Sequence, residues 1–241
     1  PILHSFPTRR SSDLLPVSED LHRVLLHANQ LSAETEGVFD VTVGHYTKLW
    51  RRARRRKVLP EAAELQFVSK QTGYRFLDVD PAMARVRLKN SGLRIDLGGI
   101  AKGYAVDEAL KTLRENGIKQ ALVDGSGDIA VGDPPPDRAS WRIEIAALRD
   151  SADADPVSIE IANCAVATSG DAFQAVQIAG TSYSHIIDPR TGWRLTTTSS
   201  VTVVAPNGMA ADSLASAVSV LRAEAGFRLV ETKKGTEAFV V

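Results

Sequence analysis

The chain has 241 residues, 29 Lys plus Arg against 29 Asp plus Glu, and 44% apolar side chains, enough for one large domain with a sizeable core. Zero formal net charge gives no general attraction to a polyanion, and no run approaches the roughly 20 apolar residues that a membrane-spanning helix requires. The lone Cys164 excludes an internal disulfide and leaves a structural zinc site without a second sulfur.

In chain order, residues 1–14 come first. The string from His4 to Leu14 resembles the conceptual translation of a sequencing-library adapter joined to a shortened reading frame. Residues 1–14 are therefore expected not to be native, and residues 15–241 to form a single domain lacking its N-terminal portion. From Val17 to about Glu36, Leu21, Leu25, Ala28 and Leu31 recur at helical spacing, with Ser18 as N-cap and Gly37 just past the end. Phe39 to Val43 is short and rich in β-formers. Residues 45–57 carry Trp50 and the basic run Arg51, Arg52, Arg54, Arg55, Arg56 and Lys57.

A helix is expected from Pro60 to about Gln71. Three strands follow, Tyr74 to Val79, Ala84 to Lys89 and Leu93 to Leu97, joined by turns that suit an antiparallel meander. Residues 101–116 read as a helix with Ala105, Ala109, Leu110 and Leu113 inward. The strand Gln120 to Val123 runs into Gly125-Ser126-Gly127-Asp128, and Pro134-Pro135-Pro136 marks an exposed loop. Further strands are expected at Trp141 to Ala146, Val157 to Ile161, Ala165 to Ala167, Tyr183 to Ile187 and Ser200 to Ala205. Helices at Ala210 to Leu221 and about Glu224 to Glu231 and a strand from Glu237 to Val241 complete the pattern. Many strands with interspersed helices, and no regular strand–helix alternation, indicate the α+β class.

Four segments place polar or flexible residues where a plain element would not want them. In Asp96-Leu97-Gly98-Gly99-Ile100-Ala101-Lys102-Gly103 a strand ends on an acid, two glycines allow close backbone approach, and a helix begins with a lysine in its first turn. That arrangement offers amides and a cation to a phosphate, although a simple turn accounts for it as well. Thr168-Ser169-Gly170-Asp171 is a hydroxyl-rich turn or a site. His185, before Asp188-Pro189-Arg190-Thr191-Gly192, is a core histidine or a proton shuttle. Asp212 and Ser216 are four apart, so on a helix both oxygens share one face. They suit a hard cation such as Mg²⁺, or simply an exposed first turn. The basic run has no interleaved aromatics, apart from Trp50 at its edge. It reads as a solvated face or a docking surface for an acidic partner rather than a nucleic-acid site.

Together and in this order, these segments and Gly37-Val38-Phe39-Asp40-Val41-Thr42-Val43-Gly44 resemble the ApbE family of FAD:protein FMN transferases, over residues 15–241. The resemblance implies a T-fold-like architecture of antiparallel sheets with helices on their outer faces. It implies a Mg²⁺-dependent enzyme that moves FMN from FAD to a Ser or Thr hydroxyl of a target protein as a phosphoester, releasing AMP. Carried over by motif, Val38, Phe39, Asp40, Asp96, Lys102 and Ile186 would contact FAD, and Asp212, Ser216 and the carbonyls of Gly99 and Ala215 would hold Mg²⁺. His185 would be catalytic. The target would be a subunit of a membrane redox complex, and the enzyme exported, periplasmic or anchored to a membrane as a lipoprotein. Ser216 stands where relatives usually have Thr and His45-Tyr46 where Pro-Leu is common. With water as acceptor the same residues would make a FAD pyrophosphatase, and without turnover a flavin-binding protein.

Overall fold

A computed structural model describes residues 14–145, 157–170, 175–197 and 199–241. The adapter-like string up to Asp13, Ala146 at the end of one expected strand, and Asp171 lie outside them. Helix α1 (Glu19–Glu34) starts where Ser18 Oγ accepts from the Leu21 amide and buries Leu25, Ala28 and Leu31. Strand β1 (Leu15–Pro16) precedes it; α2 (Gly44–Arg56) and α3 (Ala62–Ser69) follow. A 3₁₀ turn at Tyr74–Phe76 leads into β2 (Leu77–Val79) and β3 (Arg85–Leu88).

The three-strand meander is corrected in its third member. Strand β3 pairs with β2 on one side and with β1 on the other, and Leu93 to Leu97 forms no strand. Only Arg94 makes a bridge there, parallel to Val43, because the segment must leave the sheet to carry Asp96 toward the next helix. The stretch from Phe39 to Val43 is likewise a turn ending on that bridge.

Helix α4 (Ala101–Glu115) buries Gly103, Val106 and Leu110, while Ala105 and Ala109 face solvent. The inward face expected from the apolar pattern is rotated. A glycine with no side chain lets this helix approach its neighbour more closely than alanine would. Next come β4 (Leu122–Asp124), β5 (Asp128–Val131), β6 (Trp141–Ile145), β7 (Val157–Ile161) and β8 (Ala165–Gly170), then β9 (Val176–Ile178), β10 (Thr181–Tyr183) and β11 (Ser200–Ala205). The strand expected over Tyr183 to Ile187 is corrected: β10 ends at Tyr183 because the chain bends at His185 ahead of the Asp-Pro-Arg-Thr-Gly turn, leaving one bridge, Ile187 to Arg194.

Helix α5 (Gly208–Glu231) is interrupted at Arg222, whose φ of 66° divides it into the two helices expected from the sequence. Strand β12 (Glu237–Val240) closes the chain. The main sheet is antiparallel in the order β12-β11-β8-β5-β4. Its central strands are rich in alanine and valine, so α5, with small residues of its own, packs on them through Ala211, Leu214, Ala215 and Val218. A second apolar cluster joins Trp50 and Ala53 of α2 to Val176 and Ile178 of β9. The α+β class and the antiparallel sheets with covering helices are as the sequence indicated.

Candidate functional site

The site begins where α4 meets α5. A Cβ on Gly103 would fall 2.0 Å from the Gly208 carbonyl oxygen, so no larger residue fits without parting the helices. Asp107 fastens the crossing: its carboxylate accepts from the Gly208 amide at 2.6 Å and the Met209 amide at 2.9 Å, satisfying two of the donors that the start of α5 leaves without a partner inside the helix. The Gly103 amide in turn donates to Asp212 Oδ2 at 3.1 Å.

Beside this crossing lies a polar centre drawn from three elements. Lys102, in the first turn of α4, donates to Asp128 Oδ1 on β5 at 2.5 Å. Asp128 is 1% exposed, and among the described residues nothing donates to its Oδ2. Asp212, on the first turns of α5, is buried as well. Burial, and then the neighbouring Asp128 carboxylate, push its pKa up to about 7, against the opposing pull of Lys102 and the Gly103 amide. Among the described residues these two buried carboxylates share a single lysine, so ionising both leaves one negative charge uncompensated, which is why Asp212 resists ionisation.

Gly99 adjoins Ser216, since a Cβ on Gly99 would fall 2.8 Å from Ser216 Oγ and 3.6 Å from the Phe39 ring. Asp212 and Ser216 share one face of α5. Ala215 between them is buried, and its carbonyl accepts from Ser219 Oγ at 2.8 Å. Carboxylate, hydroxyl and carbonyl oxygens around uncompensated charge fit a hard divalent cation such as Mg²⁺. Among the described residues no three His, Cys, Asp or Glu side chains converge, so a cation here would draw on hydroxyl and backbone oxygens too.

Asp96 stands next to this centre. Its Oδ1 accepts from the Gly98 amide at 2.9 Å, and its Oδ2 lies 3.8 Å from Arg51 of the basic helix α2. Asp40 is buried; its carboxylate accepts from the Thr42 amide and hydroxyl and from the Tyr74 amide, which fixes the turn that carries Val38 and Phe39, both buried, Phe39 within the main core. Desolvation pushes its pKa up against those bonds. Val38 borders a cleft whose walls include Glu34, Arg190, Arg228, Thr232 and Lys233, so the Val38 segment and the turn after His185 meet across one opening.

His185 and Ile186 come from a different element. The turn that follows them is closed by the Asp188 carboxylate, which accepts from the Arg190 amide and guanidinium, and is fastened to α2 by Trp50 Nε1 donating to the Gly192 carbonyl at 2.9 Å. Gly192 has a φ of 74°, and a Cβ there would reach 2.3 Å from the Tyr46 ring. The same helix thus carries Arg51 to Asp96 and holds the loop bearing His185. Thr168, Ser169 and Gly170 belong to β8 and not to a turn; Thr168 follows Ala167, which Asp128 faces across the sheet, and its hydroxyl pairs with Thr202 at 2.9 Å.

The sequence reading missed Asp128, Arg51 and Trp50 as parts of this arrangement. Asp128 follows a glycine-rich turn and looks like a strand start; nothing local signals that it meets a lysine 26 positions earlier.

The fold and site define an α+β protein whose polar centre suits a hard cation and an anionic ligand. Residues 3–240 match the ApbE family, and the chain belongs to that family. It is 34% identical over 237 residues to an FAD:protein FMN transferase of Vibrio cholerae, covering 96% of this chain and 70% of that protein. It is 28% identical over 244 residues to an FAD:protein FMN transferase of Salmonella typhimurium, covering 99% of this chain and 69% of that one. Among solved structures, the flavin transferase ApbE from Vibrio cholerae superposes with a TM-score of 0.83 at 32% identity, covering 95% of this chain and 77% of the other. The ApbE protein of Thermotoga maritima gives 0.82 at 30% identity, covering 95% and 75%.

Proposed function

We propose that the protein is a Mg²⁺-dependent FAD:protein FMN transferase that moves the FMN half of FAD onto a Ser or Thr hydroxyl of a target protein. The acceptor oxygen bonds to the FMN-side phosphorus, the bond from that phosphorus to the bridging oxygen breaks, and AMP leaves. The observation that carries this reading is the buried Asp128–Asp212 pair beside Lys102, Gly99 and Ser216, a centre with oxygen donors for a cation and an ammonium for a phosphate. Mg²⁺, held by Asp212, Ser216 and the Gly99 carbonyl, would supply charge neutralisation on the pyrophosphate oxygens.

The chain's own groups do the remaining work. Lys102 meets charge developing on the phosphate, where preorganised donors contribute most. His185 takes the proton of the acceptor hydroxyl, a role worth about 10²–10⁴-fold. Val38, Phe39 and Ile186 contact the flavin nucleotide, and Asp96 orients it. The Ala215 carbonyl would be a further ligand to that cation. A membrane redox subunit as target, and export of the enzyme, are parts of the same proposal and rest on the family resemblance. Fractionation of the native host should find the enzyme outside the cytoplasm.

The deciding experiment incubates the purified protein with FAD, Mg²⁺ and a set of Ser- or Thr-containing acceptor peptides. Mass spectrometry should find FMN joined to a peptide and AMP released in equal amount. Free FMN with AMP in every reaction would replace the transferase reading by a FAD pyrophosphatase. Intact FAD retained by the protein would replace it by a flavin-binding role.

A further inference from the structure

We propose that Asp128 is a positioning residue for the transfer: it acts through Lys102, holding that ammonium in one place beside Asp212. This rests on the transferase reading and deepens it. The Lys102 side chain is 45% exposed and swings on a four-carbon stem, so by itself it would spread its charge over many rotamers. Asp128 is the opposite kind of group. It sits on β5 between β4 and β8, in register with Ala167, and its backbone carbonyl accepts from the Gly125 amide at 2.8 Å.

A stabilising role accounts poorly for this pair. A carboxylate buried to 1% exposure loses its water, and a partner half in solvent returns little of that loss, while among the described residues Oδ2 gains no donor. An apolar or amide residue would fit the fold at lower cost. What the carboxylate does supply is a fixed seat: Oδ1 holds the ammonium at the mouth of the α4–α5 crossing, next to the carboxylate of Asp212. A cation fixed before the reaction needs no reorganisation when charge builds up on the pyrophosphate.

The test compares Asp128→Asn, Lys102→Gln and the double variant. FAD affinity is read by flavin fluorescence in EDTA, and AMP release is read at saturating FAD with Mg²⁺. Asp128→Asn removes a negative charge beside a dianion, so FAD should bind as tightly as to wild type or more tightly. AMP release should nevertheless fall about 10- to 100-fold, the effect of losing one charge-assisted hydrogen bond. In the Lys102→Gln background, Asp128→Asn should change AMP release less than about twofold, because the group it acts through is gone.

An equal fall in both backgrounds would overturn the proposal, as would weaker FAD binding in step with a lower melting temperature. If Asp128→Asn does not fold, Lys102→Ala carries the test. Propylammonium should restore its AMP release saturably and 1-propanol should not; failure of the amine to rescue would also overturn the proposal. Wild-type protein that binds FAD but never releases AMP would instead bring down the transferase reading.

Discussion

Asp212 is a carboxylate that its surroundings work against. Burial and Asp128 push its pKa up to about 7, so it is only part-ionised at neutral pH, and Lys102 and the Gly103 amide oppose them. A cation would reverse that balance, so Asp212→Ala should remove Mg²⁺-dependent AMP release by about 10²-fold or more. Normal release by the folded variant would sink the metal assignment. His27 on α1 shows the same physics with the opposite charge: burial pushes its imidazole pKa below the usual 6.5, and its Nε2 lies 3.1 Å from Ser213 Oγ. Between the folded value and 6.5 the unfolded chain binds more protons, so this histidine costs stability as pH falls through that window and nothing above it. His27→Gln should therefore lose less stability than wild type between about pH 7 and 5 in urea unfolding. Parallel stability curves would show that the ring is not a titrating liability.

At the scale of elements, the closeness of α4 and α5 decides whether the centre exists. Gly103→Ala would force a methyl against the Gly208 carbonyl and displace the amide that Asp212 accepts from. Overpacking against backbone should cost about 3 kcal/mol or more. Ala105, on the exposed side of the same helix, should tolerate Glu within about 0.5 kcal/mol. Urea midpoints that ranked the two substitutions the other way would mean that α4 is turned as the apolar pattern suggested. The difficulty of reading this helix is physical. Periodicity counts apolar side chains, whereas the contact that orients α4 is made by the absence of one. The basic run of α2 was legible as a charged, solvated face, yet the helix's role depends on Trp50 and Tyr46 packing against a turn more than 130 residues later.

For the molecule as a whole, the site joins Gly99 and Lys102 at the start of α4, Asp128 on β5, and Asp212 and Ser216 on α5, so a ligand that bridges them should brace the fold. FAD with Mg²⁺, each at about 100 times its dissociation constant, should add on the order of 2.7 kcal/mol from the nucleotide alone and raise the melting temperature by roughly 5–10 °C. No shift in a thermal melt would mean that the centre takes no nucleotide. The sequence by itself determined the α+β class, most helices, the five ordered motifs and the family, because capping residues, periodicity and motif spacing are local and survive in a linear reading. It also placed Asp212 and Ser216 on one helical face, since four-residue spacing is a property of a single element. Only the tertiary structure decided that Asp128 meets Lys102 and Asp212, that Arg51 reaches Asp96, and that β1 rather than Leu93 to Leu97 completes the small sheet. Those pairings are made by chain crossings and sheet register, which bring together residues that carry no mark of one another in the sequence.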